Sequence, residues 1–219
     1  MITPKQIKRS STRKLTLKID DNGDLIVHAP YNLPNSEIFT FVEQKQTWIR
    51  KKQSETKAVL LQNQKIINLE ECFYLGKRCQ IALVDGLKNL EYRNNTFMLP
   101  KNCNKKKVVK EFYLKEAEKV LIFRMNYLTE LMKITPKGCK IITSKSKWGM
   151  CDSQKFVYLN YKLVMLPPDI IDYVIVHELS HLIEMNHSKN FWALIEAVIP
   201  NYKKKQEILK YCNFLIKMF

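Results

Sequence analysis

His177-Glu178-Leu179-Ser180-His181, with His187 six residues further on, is the stretch on which the reading of this chain turns. Three of the four histidines in the 219 residues fall inside it. Helix residues four apart share a face, so His177 and His181 can turn both imidazoles toward one ion. Glu178 then stands beside the first ligand. This H-E-x-x-H pattern fits a metal-dependent hydrolase: three protein ligands leave a fourth position for water, and the neighbouring carboxylate acts as general base. The spacing assigns His177, His181 and His187 to one zinc ion with water as fourth ligand. It assigns Glu178 to proton removal from the metal-activated water.

His187 needs a change of chain direction, because a straight helix would carry it to the side opposite His181. Met185-Asn186 is the expected turn, with Asn in the left-handed conformation of a helix end. Ser188 then caps a helix through Phe191-Trp192, ended by Pro200. Glu184 and Glu196 stay open as alternative third ligands. Asp172, Glu184 and Glu196 are candidate partners for the second ring nitrogens of the ligands. Tyr158, Tyr161 and Asn160 are candidates for steadying an oxyanion. Trp148 and Trp192 either line the site or pack in the core.

Outward from the motif, Pro167-Pro168-Asp169 starts its helix, and Ile170, Ile171, Val174, Ile175 and Leu179 form an apolar side. Three strands are expected before it, at 140–143, 148–151 and 156–159, with Cys139 and Cys151 able to meet across a hairpin. A long helix is expected from Val108 to about Ile134, stopped by Pro136 and Gly138. Its apolar side includes Phe112, Ala117, Leu121, Phe123, Leu128 and Leu131.

The first hundred residues alternate differently. Leu15, Leu17 and Ile19 read as a half-buried strand, Asp20-Asp21-Asn22-Gly23-Asp24 as a turn, and Leu25–Ala29 as the return strand. A helix follows from Glu37 to about Gln53, with Ile38, Phe41, Val42 and Ile49 on one side and Trp48 packed. Short strands are expected at 72–75, 79–84, 87–92 and 97–99. The pattern predicts an α+β fold: a small antiparallel β region with one helix over residues 1–100, then a catalytic domain over 101–219 with a short sheet and the H-E-x-x-H helix.

The net charge of +16 is large for this length. It permits nucleic acid, nucleotide phosphates or an acidic protein as partner, and also fits compositional bias. No run approaches eighteen apolar residues, and no apolar h-region follows the N-terminus, so a cytoplasmic protein is expected. The six cysteines are too dispersed for a zinc knuckle or a dense disulfide framework.

The chain resembles the YgjP-like metallopeptidase-domain family, a zincin group with SprT-like relatives. The resemblance lies in Lys147–Cys151, Phe156–Leu163, Pro167-Pro168, Asp172–His181 and Asn186–Trp192. The N-terminal half resembles the family too, at Ala29-Pro30, Trp48-Ile49 and Tyr74-Leu75-Gly76. It departs at Lys147, Met150 and Tyr161, where arginine, serine and tryptophan are usual. The resemblance implies a zincin-like catalytic domain, zinc on the three histidines, Glu178 as catalytic residue and a peptide or protein substrate. The strand at Phe156–Leu159 is then the candidate for holding an extended peptide by edge pairing. Two other readings use the same residues. One is a phosphoanhydride hydrolase acting on nucleoside triphosphates, with lysine clusters and Arg124, or Arg78 and Arg93, holding phosphates. The other is a basic nucleic-acid-binding protein with structural zinc.

Overall fold

The computed structural model describes residues 2–218 apart from position 21, so one residue of the expected Asp20–Asp24 turn, Asp21, lies outside the described residues. The chain divides into two compact units, residues 1–67 and 68–219. In the first unit β1 (Gln6–Ser10), β2 (Thr16–Ile19) and β3 (Leu25–Pro30) form a sheet in the order β1-β3-β2. The hairpin β2–β3 is antiparallel as expected, while β1 adds in parallel to the far edge of β3. Leu25, Val27 and Ala29 alternate onto one face of β3. There they meet Ile38, Val42 and Ile49 of the following helices in a closed core.

The expected single helix is two, α1 (Asn35–Gln44) and α2 (Gln46–Gln62), separated at Lys45 (φ −101°, ψ 9°). A further turn, α3 (Gln64–Ile67), ends the unit. α2 outruns the apolar pattern because its second half, Ser54–Gln62, is made largely of good helix formers and needs no buried face. Trp48 is not packed as expected. It is 42% exposed.

The second unit opens with a four-stranded sheet: β4 (Glu71–Tyr74), β5 (Lys77–Val84), β6 (Glu91–Arg93) and β7 (Thr96–Pro100), ordered β4-β5-β7-β6. Its hairpins turn at Leu75-Gly76 and Asn94-Asn95, all at positive φ, the conformation that matches strand twist in two-residue loops. β5 and β7 pair in parallel, so both this sheet and the first are mixed rather than antiparallel throughout. The strands of 71–100, expected with the N-terminal region, pack instead with the second unit. Tyr74, Tyr92 and Phe97 cluster with Phe112 of α4 (Lys105–Met132), and Tyr113 Oη donates to the Phe73 carbonyl at 2.6 Å.

Asn104 caps α4 by accepting from Lys107 N, and Lys133 in the left-handed conformation ends it ahead of Pro136. Its buried line is Val109, Tyr113, Ala117, Leu121, Met125 and Leu128, a spacing of four with one step of three. The expected Phe123 and Leu131 are 73% and 56% exposed. Three strands then follow, β8 (Gly138–Ile142), β9 (Gly149–Cys151) and β10 (Phe156–Asn160), ordered β8-β10-β9. A 3-10 helix (Tyr161–Met165) leads into α5 (Pro168–Ser180), α6 (Lys189–Val198), α7 (Tyr202–Tyr211) and a final 3-10 helix (Cys212–Lys217). The architecture is α+β. Among the described residues no helix is long and apolar enough to cross a membrane.

Cys139 and Cys151 do not meet. Both register with Val157, one from each side of β10, so two strand spacings hold their Cα atoms roughly 10 Å apart, beyond disulfide reach.

Candidate metal centre and catalytic cleft

α5 is built for burial. Pro168 sits in its first turn, where no backbone N–H is needed, and Asp169 meets the positive end of the helix dipole. Ile170, Ile171, Val174, Ile175, Val176 and Leu179 are all buried, so the helix is fixed along its length. His177 lies in its last turn and His181 is its C-cap, still in right-handed helical conformation, so both rings share the expected face. Their centroids stand 5.0 Å apart.

The chain reverses after His181 by a route that the spacing alone did not give. Asn186 is not at positive φ. Instead Ser188 N donates to the Asn186 carbonyl at 2.7 Å, closing a three-residue turn with His187 at its apex. Ser188 then caps α6 as expected, accepting from Phe191 N at 3.3 Å. The turn carries His187 back to the other two histidines. One ring nitrogen from each of His177, His181 and His187 lies within 4.8 Å of the others. His187 Nε2 and His177 Nε2 are 3.2 Å apart. Two nitrogens bound tetrahedrally to one zinc at 2.0–2.1 Å stand about 3.3 Å apart, so this pair is spaced for such an ion, with the third nitrogen within 4.8 Å of both.

Packing fixes the rings. Phe191, fully buried, lies 4.9, 4.6 and 4.7 Å from the rings of His177, His181 and His187. Trp192 stacks on His187 at 5.7 Å and on Tyr202 at 5.3 Å. His181 Nδ1 bonds the Glu184 carbonyl at 3.2 Å, which leaves its Nε2 for the cluster. The Nδ1 of His177 is buried without a hydrogen-bond partner. Burial, with His181 and His187 as like-charged neighbours, pushes His177 down to about 3, so its imidazole is neutral at pH 7. Neutral imidazole is the form that ligates metal.

Glu178 points into a cleft of about 270 Å³ beside the histidines, bounded by Trp148, Gly149, Tyr173 and residues of α7. It is buried, and that burial pushes its carboxyl up to about 8 against the opposing pull of Lys147. β9 crosses directly over it. A β-carbon at Gly149 would lie 2.7 Å from both Cγ and Oε1 of Glu178. The glycine is what lets strand and carboxylate approach so closely.

The other candidates are placed elsewhere. Asp172 receives two hydrogen bonds from Arg124, at 2.6 and 2.5 Å, and ties α4 to α5 instead of orienting a histidine. Glu184 contributes its carbonyl, and Glu196 is exposed on α6; neither carboxylate belongs to the histidine cluster. Tyr158 donates to Asp152 at 2.9 Å. Tyr161 is buried, its hydroxyl without a partner. Asn160 donates to the carbonyls of Ser144 and Lys147 at 2.9 and 2.8 Å, so it positions the loop before β9 and does not face a reacting group. Phe156–Leu159 is not an edge. β10 is paired on both sides, and β8 and β9 are the two edge strands of this sheet among the described residues. Cys151 is held protonated, pushed up to about 11 by burial. Trp148 and Trp192 do line the site.

The α7 wall of the cleft was missed in the sequence. Gln206, Leu209 and Lys210 share one face of α7, a spacing that marks them as facing something in common, and Asn213 follows from the final 3-10 helix.

The sequence profile described as "YgjP-like, metallopeptidase domain" matches residues 13–211. The chain belongs to the YgjP-like metallopeptidase-domain family. Membership makes this YgjP-like chain a metal-dependent hydrolase of the peptidase class, and the three histidines are a group able to hold the ion that class requires. Among curated proteins none is significantly similar to the YgjP-like chain. One similar solved structure is the metallopeptidase zymogen of Pyrococcus abyssi, abylysin. It is 19% identical, with a TM-score of 0.38, over 41% of this chain and 90% of that one.

Proposed function

We propose that this chain is a zinc metallopeptidase in which His177, His181 and His187 hold one ion and Glu178 is the general base. The observation that carries the reading is the convergence of three imidazoles, with Glu178 next to them in a cleft. Three imidazoles suit zinc among the divalent ions. An ion held there supplies Lewis acidity, acidifying water and polarising a peptide carbonyl. Glu178 takes the proton of the attacking water and delivers it to the departing amine. Burial among Trp148, Gly149 and α5 keeps bulk water from competing for that proton. The open edge of β9 offers backbone donors and acceptors to an extended peptide lying across Glu178.

The other two readings have less support. Arg124 is bonded to Asp172, Arg78 to Glu71 and Arg93 to Glu91, so the arginines considered for phosphates already have carboxylate partners. A structural zinc site is usually closed by four protein ligands. The group found among the described residues numbers three.

The test is a paired screen of zinc-loaded protein on a mixed peptide library and a nucleoside triphosphate panel, beside Glu178→Gln and a chelated control. Peptide cleavage is expected, lost on chelation and lowered about 10²–10⁴-fold in Glu178→Gln, the usual worth of a general base. Phosphate or pyrophosphate release with the same dependence, and no peptide cleavage, would overturn the reading.

A further inference from the structure

The cleft beside Glu178 has a marked chemical bias. Lys147, on the loop before β9, contributes to one wall, and Lys210 of α7 contributes to another. Both are exposed lysines, and Glu178 is the one acidic residue among the described residues that line the cleft. Asn213 adds to the bias. Trp148 Nε1 can only donate, and it bonds Asn213 Oδ1 at 2.9 Å. With one lone pair of Oδ1 used by the indole, the two amide N–H groups of Asn213 are donors turned away from Trp148. Gln206, one turn before Lys210 on the same face, adds a neutral amide. The volume, about 270 Å³, is below the usual range of small-molecule pockets and suits a side chain or a chain end.

We propose that this cleft receives a carboxylate of the substrate next to the scissile bond, which makes the enzyme selective for acidic peptides; the inference rests on the peptidase reading above. A carboxylate there meets Lys147, Lys210 and amide donors against Glu178 alone, whereas a basic side chain meets two like charges and one carboxyl group. The net charge of +16 acts in the same direction, steering acidic chains toward the protein before they dock.

The experiment uses zinc-loaded protein and one cleavable peptide with Glu, Gln or Lys on either side of the scissile bond. Each peptide is made with a free and an amidated C-terminus. Lys210→Glu and, independently, Lys147→Glu are assayed beside the wild type. Binding of the same peptides to Glu178→Gln is followed by fluorescence anisotropy. The expected result is a kcat/KM for Glu about tenfold above Gln, with Lys lowest. The same order is expected in binding, with the preference abolished or inverted in the charge-reversed variants. A preference that survives amidation assigns the carboxylate to a side chain, and one lost on amidation assigns it to the chain end. Cleavage indifferent to charge, or a preference that both variants leave intact, would overturn the inference alone. Cleavage of no peptide by the wild type would overturn the peptidase reading and the inference with it.

Discussion

Glu178 can stand where it does because position 149 has no side chain. The strand β9 passes so close that a methyl group there would fall 2.7 Å from the carboxyl oxygen. Both atoms cannot keep their places, and the flexible carboxylate is the one that yields. Gly149→Ala is therefore expected to lower kcat by about tenfold or more, since small displacements of a catalytic group are felt steeply. It should leave zinc content unchanged and move the melting temperature by only a few degrees, on the order of a 1 kcal/mol change. Steady-state kinetics with metal analysis and a melting curve check it. Unchanged kcat would show that Glu178 does not depend on this contact. The proximity of His177, Glu178 and His181 was legible because their spacing along one helix encodes it, whereas that of His187 depends on the turn after the helix. Gly149 was not, because its constraint comes from a strand crossing over that helix. The same holds for Asn160. Its type suggested chemistry, yet its amide is spent on the carbonyls of Ser144 and Lys147.

The helices and strands show a similar division. Elements with one buried face were readable: the α5 start at the prolines, the Ser188 cap of α6 and the β2–β3 hairpin. What failed were the features that sequence-distant partners decide. The β5–β7 pairing is parallel, β10 is central, and Phe123 and Leu131 of α4 face outward. The last 3-10 helix is also held by a distant residue. Lys162, buried in the 3-10 helix that follows β10, donates through Nζ to the Ile216 carbonyl at 2.5 Å and to that of Ser144 at 3.4 Å. Burial, reinforced by repulsion from Lys145 and Lys110, pushes this lysine from 10.5 down to about 8. A base with a lowered pKa in the folded state binds fewer protons there than in the unfolded chain, so stability rises with pH between the two values. Relative to Lys162→Met, the wild type should gain stability from about pH 8 to pH 10.5 and show no relative change below that window. Urea unfolding across the range measures it, and parallel pH profiles for the two proteins would contradict the assignment.

Taken together, the chain is two compact units, and every residue of the candidate centre belongs to the second, 68–219. That unit brings its four-stranded sheet up to α5. Leu75 N donates to the Val164 carbonyl at 2.7 Å, and a β-carbon at Gly76 would lie 2.8 Å from Pro167 Cα, so the β4–β5 turn seats directly on the start of the motif helix. The excess of lysine has no single structural role. Lys205 pairs with Asp169, Lys119 with Glu116, and Lys147 and Lys210 line the cleft, Lys147 with its ammonium 3.6 Å from Met150 Sδ. The proposal that these surroundings hold one ion on three histidines is tested most directly by a metal titration of the purified, chelator-stripped protein. One equivalent of zinc should bind the wild type. Affinity should fall by about 10²-fold or more when His177, His181 or His187 is changed singly to Ala, whereas Glu178→Gln should still take up its equivalent. Zinc binding that survives in the three histidine variants, or none in the wild type, would contradict the account.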